Sequence, residues 1–233
     1  MKNRFLLASV LVLALLPSPV LAYTQIKVFK DLASGKIFPF KKWNTRIMCE
    51  GYIKVFNSGR IGVDIPGSLL AMGRSVEVLN RVRRTRLTFT YIKDGDKFYD
   101  RNPNCLDDGN KQYYGNTFMT SDDTVNGTRL LAGTGFICSK RGSYDQCPSQ
   151  TTIIFDYNQE WYTAKGRPSS DQYDFVSLAV HELLHATGQN HVPERFCRRN
   201  ITSPTMCPTI DSGEVWMRSL EPSDIQGMQE MYP

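Results

Sequence analysis

The sequence runs to 233 residues with a formal net charge of +5, and 41% of it is hydrophobic and 22% charged. That length fits one sizeable domain, and the balance is that of a globular chain rather than a disordered or fibrous one. The basic excess is small and scattered; its densest run, Arg81, Arg83, Arg84 and Arg86, reads as the solvated end of a helix, so no nucleic-acid partner is expected.

Lys2 and Arg4 precede an apolar run over residues 5–16, followed by Pro17, Pro19 and the small-residue pattern Val20-Leu21-Ala22. This is the layout of an export leader over residues 1–22, cleaved after Ala22. The run is short of the roughly 20 residues that span a bilayer, and no later segment is long and apolar enough, so stable membrane insertion is not expected. Residues 23–42 are basic and mixed. They read as an N-terminal arm or a short propeptide, with Asp31 as a candidate covering group and Lys41-Lys42 as a cleavage point.

Residues 43–56 read as a strand, with Ile47, Tyr52, Ile53, Val55 and Phe56 suited to a pleated sheet and Gly51 prone to bulge. Residues 59–66 are turn-like. Leu69, Leu70, Met72, Val76, Leu79 and Val82 then recur at helical spacing behind Pro66 and Gly67. Residues 87–93 alternate as a second strand, and residues 102–111 form a polar loop. Residues 113–120 and 129–138 are shorter strand candidates, and residues 151–157 a buried one. A long helix is expected over residues 171–188, its apolar stripe made by Tyr173, Val176, Ala179, Val180, Leu183 and Leu184, with Gly188 placed to end it. After a loop-rich tail, a last helix starts near Pro222 and ends by Tyr232. Strands first and helices later predict an α+β domain over residues 43–233.

Six cysteines lie beyond the leader: Cys49, Cys105, Cys138, Cys147, Cys197 and Cys207. An even number in an exported chain argues for disulfides, with the connectivity left open. Cys138 with Cys147 would close a small polar loop, and Cys197 with Cys207 would tie down the tail, leaving Cys49 with Cys105. A cysteine zinc cluster is not expected, since no C-x-x-C spacing occurs.

The chemistry concentrates in His181-Glu182-Leu183-Leu184-His185-Ala186-Thr187-Gly188-Gln189-Asn190-His191, which holds all three histidines of the chain. His181 and His185 are four apart on a helix, so their imidazoles project from one face and can grip one ion. Gly188 can take a positive φ that stops the helix and turns the chain back, letting His191 arrive as a third ligand. Three protein ligands leave a fourth position open, as in catalytic rather than structural zinc sites. Glu182 follows the first ligand, where its carboxylate can act as general base on a zinc-activated water.

This pattern, H-E-x-x-H-x-x-G-x-x-H, resembles the extended zinc motif of the metzincin metalloproteases. Met206, in Ser203-Pro204-Thr205-Met206-Cys207-Pro208, resembles the methionine-turn of that group. The similarity is greatest to the matrixins, the family of the matrix metalloproteinases, and runs over about residues 43–232. Ile153-Ile154-Phe155-Asp156 with Glu160-Trp161 resembles the strand and tryptophan before the active-site helix, and residues 220–232 resemble the C-terminal helix. Residues 128–132, with Leu131 and Ala132, are the candidate rim strand that pairs with substrate.

The resemblance implies a zincin-like metzincin catalytic domain: a twisted mixed sheet with an active-site helix, a backing helix and a C-terminal helix. It implies a secreted or periplasmic zinc endopeptidase acting on protein or peptide substrates. The chain departs from the family in carrying Val192 rather than serine or threonine, Ile210 where a tyrosine often lines the specificity pocket, and no histidines for a second zinc. Calcium is a candidate ligand at Asp107-Asp108-Gly109-Asn110 or Asp122-Asp123. A monomer is expected, since nothing indicates a coiled coil or a large apolar face. Two rival readings are a catalytically silent zinc-binding module, against which Glu182 argues, and an astacin-like metzincin, against which Cys207-Pro208 argues. Asn126-Gly127-Thr128 and Asn200-Ile201-Thr202 are glycosylation sequons in a host that glycosylates exported chains.

Overall fold

The computed structural model describes residues 65–91, 131–141, 144–156, 158–197 and 203–233, together with the strands named here before residue 131. Side chains are described at residues 66–89, 131–134, 153, 155–156, 158–197 and 203–233. In chain order the elements are β1 (Thr24–Gln25), β2 (Val28–Lys30), β3 (Ile37–Pro39), β4 (Ile47–Val55), α1 (Ile65–Asn80), β5 (Thr88–Tyr91), β6 (Tyr113–Met119), β7 (Thr124–Val125), β8 (Thr128–Arg129), β9 (Ala132–Arg141), β10 (Tyr144–Asp156), β11 (Trp161–Tyr162), β12 (Tyr173–Asp174), α2 (Phe175–Thr187), β13 (Gln189–Asn190) and α3 (Pro222–Met231). The expected α+β architecture is the one observed.

The main sheet has the order β5-β4-β6-β10-β9, parallel throughout except for β9, which runs antiparallel to β10 at one edge. The pairing of β4 with β6 shifts register between Glu50 and Ile53, around the Gly51 expected to bulge. β10 begins at Tyr144, well before the expected residue 151. Its polar first half pairs with the far end of β9, Gln146 opposite Ser139, so a stretch that reads as a loop by composition extends a hairpin. Residues 23–42, expected as an arm without assigned elements, contain three short strands; β2 pairs with β3, and β1 pairs antiparallel with β13.

Helix α1 starts at Ile65, a turn earlier than the apolar periodicity alone implies, with Pro66 in its first turn, where the missing N–H costs nothing. It buries Ala71, Met72, Val76 and Leu79 and packs against α2. Its last residue, Asn80, acts as a surrogate strand for edge strand β5: its amide accepts from Phe89 N and donates to Phe89 O, both at 2.8 Å. Ile153 and Phe155 of β10 are fully buried. Phe155 stacks on Phe175 with centroids 4.5 Å apart, and Trp161 meets both edge-on at 5.6 and 5.7 Å. This aromatic cluster fixes the start of α2 against the sheet.

Helix α2 begins at Phe175, four residues later than expected, because Asp174 caps it. The Asp174 carboxylate accepts from Ser177 N at 2.8 Å and receives Arg218 as a two-pronged partner at 2.5 and 2.8 Å. Residues 173 and 174 instead extend as β12 beside β11. Every residue of α2 except His185 is buried, so the helix is central rather than amphipathic on a surface. Among the described residues, no helix is long and apolar enough to cross a membrane.

Asp174 is itself buried, so its loss leaves Ser177 N without its acceptor and Arg218 with only the carbonyls of Lys165 and Ala164. Asp174→Ala should lower unfolding free energy by about 3 kcal/mol, combining a lost cap with a broken, largely buried pair. A urea titration showing a change below about 0.5 kcal/mol would contradict this assignment, since that is the range of ordinary surface substitutions.

Candidate metal and catalytic site

The site is assembled where α2 ends. His181 and His185 lie one turn apart on α2. Gly188 closes the helix with φ 100° and ψ 9°, a left-handed conformation that an L side chain adopts only with strain, and its N–H bonds back to His185 O at 2.8 Å. The chain then passes through β13 and delivers His191. The Nε2 atom of His191 lies 3.1 Å from that of His181 and 3.0 Å from that of His185. Ligating atoms of the three residues all lie within 4.8 Å of one another, with His181 buried, His185 half-buried and His191 exposed.

Hydrogen bonds decide which nitrogens face the centre. His181 Nδ1 sits 2.6 Å from Thr205 O, and His185 Nδ1 sits 2.8 Å from Gln189 O. A carbonyl only accepts, so each Nδ1 carries a proton and each of these Nε2 atoms presents a lone pair. Desolvation, then the neighbouring histidines, hold His181 well below the ordinary histidine range. Desolvation followed by His191 pushes His185 to about 3, and desolvation lowers His191. All three rings are therefore neutral near pH 7. The Nε2 lone pairs of His181 and His185 thus both point at His191 Nε2, an arrangement that one cation among the three nitrogens would satisfy. The donor set fits zinc, which favours imidazole nitrogen and tolerates an open position.

The carbonyl that holds His181 belongs to a tight turn beneath the site. Cys207 N donates to Pro204 O at 3.1 Å across Thr205 and Met206, and Met206 is fully buried. The turn is tied in four directions. Val192 N, directly after the third histidine, donates to Met206 O at 2.9 Å. Thr205 N donates to Asp224 Oδ2 at 2.9 Å, and Thr205 Oγ1 donates to Ser219 O at 2.8 Å. Cys197 and Cys207 form a disulfide with Cα atoms 5.7 Å apart, joining the turn to the segment after His191. Asp224, in the first turn of α3, also accepts from Glu221 N at 2.9 Å, and its backbone carbonyl accepts from Gln189 Nε2 at 3.0 Å. Burial raises its pKa against the pull of these bonds. Tyr232, closing α3, donates its hydroxyl to Thr187 O at 2.7 Å in the last turn of α2.

Glu182 is buried beside the first histidine, and its Oε2 accepts from Thr134 Oγ1 at 2.7 Å. Burial pushes its pKa up to about 7, and the Thr134 hydrogen bond acts in the opposite direction. A cation among the imidazoles would draw it down. Thr134 comes from β9, whose start at Ala132 lies opposite Phe155 of β10. Leu131, just before that strand, accepts from Asp156 N through its carbonyl at 2.9 Å.

Thus the structure brings His181, His185 and His191 together, places Glu182 next to them, sets Met206 in a turn below, and puts Leu131 and Ala132 at the start of the sheet's edge strand. Val192 and Ile210 are buried. Two positioning groups are not evident from the sequence reading: Thr134 and Asp224. A signal for Asp224 exists, since an acidic residue three after Glu221 and behind Pro222 marks a helix start, yet that pattern does not reveal the reach to Thr205. Thr134 has no local signal. The side chains of Cys49, Cys105, Cys138 and Cys147, the candidate calcium segments, Asp31, Lys41-Lys42, both sequon asparagines and the leader lie outside the described residues.

The site predicts two outcomes. Zinc in hundredfold excess over its dissociation constant should stabilise chelator-treated protein by about 2.7 kcal/mol, and His191→Ala should abolish that gain. Equal melting temperatures with and without zinc in the parent would remove the metal centre. Asp224→Ala leaves two backbone donors unpaired and should lower the melting temperature by roughly 5–10 °C. Its zinc affinity should fall about 10- to 100-fold, measured by competition with a chromophoric chelator, through release of the Thr205 carbonyl.

Residues 134–233 match the family model of the matrixins, Peptidase_M10. A comparison with curated proteins returned no match. The matched stretch contains the three histidines, Glu182, the turn at Met206 and the whole of α3. Over these residues, less than half of the chain, the sequence is similar to the matrixins, and its three histidines reproduce the zinc motif of the metzincin metalloproteases.

Proposed function

We propose that this matrixin-type chain is a secreted endopeptidase that hydrolyses internal peptide bonds of protein substrates, with zinc held by His181, His185 and His191. The observation that carries the reading is the convergence of three neutral imidazole nitrogens with a buried, singly hydrogen-bonded carboxylate on the same helix turn. Zinc held there supplies Lewis acidity, which makes a water nucleophilic at neutral pH and polarises a carbonyl.

The chain's own residues do the rest. Glu182 takes the proton from the attacking water on its carboxylate and returns it to the nitrogen of the departing amine. Its pinned Oε2 leaves Oε1 without a protein donor among the described residues, and Oε1 is the oxygen assigned to the proton. The Thr205 and Gln189 carbonyls keep the Nδ1 protons of His181 and His185 in place, which fixes the rings and leaves Nε2 for the metal. Met206 supports the site from the turn below. An extended substrate adds along the outer edge of β9, starting at Leu131 and Ala132, since an antiparallel edge that no described strand covers offers main-chain donors and acceptors in register.

Export is supported by the leader pattern of residues 1–22 and by the Cys197–Cys207 disulfide, a bond that persists in oxidising compartments. For residues 23–42, the pairing of Thr24–Gln25 with Gln189–Asn190 supports an arm that lies on the domain beside the ligand-bearing segment.

Glu182→Gln preserves size and removes the base. It should retain zinc at one per chain while lowering the cleavage rate on a casein or quenched-peptide substrate at least 100-fold. A variant that bound zinc and cleaved as fast as the parent would refute the assigned role.

A further inference from the structure

We infer that Thr134 is the positioning residue for Glu182: its hydroxyl fixes the carboxylate so that one oxygen is held by the protein and the other faces the reaction. The inference deepens the peptidase reading and rests on it for its catalytic half.

Thr134 lies on β9 opposite Ile153 of β10, on the edge strand of the sheet, and β9 packs against α2. Its Oγ1 is 2.7 Å from Glu182 Oε2 and 3.0 Å from Glu182 O. One hydroxyl carries one proton, and the shorter contact to the more basic oxygen is where it goes. A terminal carboxyl torsion is broad and nearly free, unlike the staggered torsions closer to the backbone, so burial alone does not orient it. A donor on a neighbouring rigid element does. Threonine suits the task because a β-branched side chain on a strand has few χ1 states, and its methyl group fills space that serine would leave. The residue also couples the two parts of the site. Only Gly133 separates it from Ala132, so the strand that would align a substrate backbone is the strand that holds the base.

The test compares Thr134→Val and Thr134→Ser in the zinc-loaded, full-length secreted protein, with zinc content and circular dichroism checked first. Thr134→Val keeps the shape and removes the donor. It should lower kcat on a quenched peptide about 10- to 100-fold while KM stays within about twofold. Thr134→Ser restores the hydroxyl and should recover most of the loss. A purely structural role would instead leave kcat unchanged, or impair both variants alike; either result overturns the proposal, as does a kcat for Thr134→Val within twofold of the parent. A double-mutant cycle of Thr134→Val with Glu182→Ala, read from denaturant midpoints, tests the contact without using activity. Non-additive midpoint shifts are expected, and strict additivity overturns the inference. A parent that binds zinc yet cleaves nothing would remove the peptidase reading, and the cycle would then decide whether Thr134 holds Glu182.

Discussion

Two imidazole rings one turn apart on a buried helix can hold a metal only if each ring is prevented from rotating and from spending its inward nitrogen on a proton. Here a backbone carbonyl meets each requirement. Gln189 O, just past the helix, receives His185 Nδ1, while Thr205 O, from a distant turn, receives His181 Nδ1. The second of these bonds is the constraint on which the surrounding structure depends. It ties the helix that carries the ligands to the turn that carries Met206. Much of the C-terminal third of the chain holds that carbonyl where the ring needs it.

The supporting bonds form a sequence of dependencies. Asp224 fixes Thr205 N from α3, and α3 is fixed to α2 by Tyr232 and to β13 by Gln189. The Cys197–Cys207 bond limits how far the turn can move from the segment after His191. The Val192 N to Met206 O bond does the same at shorter range and sets the direction from which His191 enters. Arg218, from the one-turn helix before α3, reaches back to Asp174 and so secures the other end of α2. Both ends of the ligand helix are thus held by residues that follow it in the chain. A metal site needs its ligands within about half an ångström of their working positions, and rigid elements tied by hydrogen bonds achieve this better than loops.

What the sequence revealed and what it hid follow from the range of the interactions involved. The histidine spacing, the glycine that stops the helix and the apolar positions Met72, Val76 and Leu79 of α1 are local patterns, governed by the helical repeat and by the αL preference of glycine; all appear in the structure, whereas Leu70 of the expected α1 stripe is exposed. The methionine turn was legible through its flanking prolines. The first half of β10 was not, because Asp145, Gln146 and Gln150 look like loop by composition, whereas pairing with β9 determines their conformation. Helix α2 was expected to start too early because Tyr173 fits the apolar stripe; the Asp174 cap, identifiable only with Ser177 N as its acceptor's partner, sets the boundary. Thr134 lies 48 residues from Glu182 in sequence, and nothing about a threonine in a strand announces a carboxylate across the gap. Positioning groups are harder to read than ligands because their identity depends on tertiary contact rather than on spacing.

That asymmetry has a consequence for how metal binding relates to folding. The two helical histidines come close as soon as α2 forms, but His181 is oriented only after the tail has returned beneath it, and His191 is placed only after Gly188 and the Val192 bond have turned the chain. Several of the orienting contacts span long sequence separations, among them 24 residues for His181 with Thr205 and 44 for Arg218 with Asp174. Loop-closure entropy must therefore be overcome before the metal gains its full set of ligands. Metal affinity and tertiary stability are accordingly linked, because a preformed site exists only in the folded chain. Burial works in the same direction. It keeps the imidazoles neutral and ready to ligate, so it is the folded chain that presents them together to zinc.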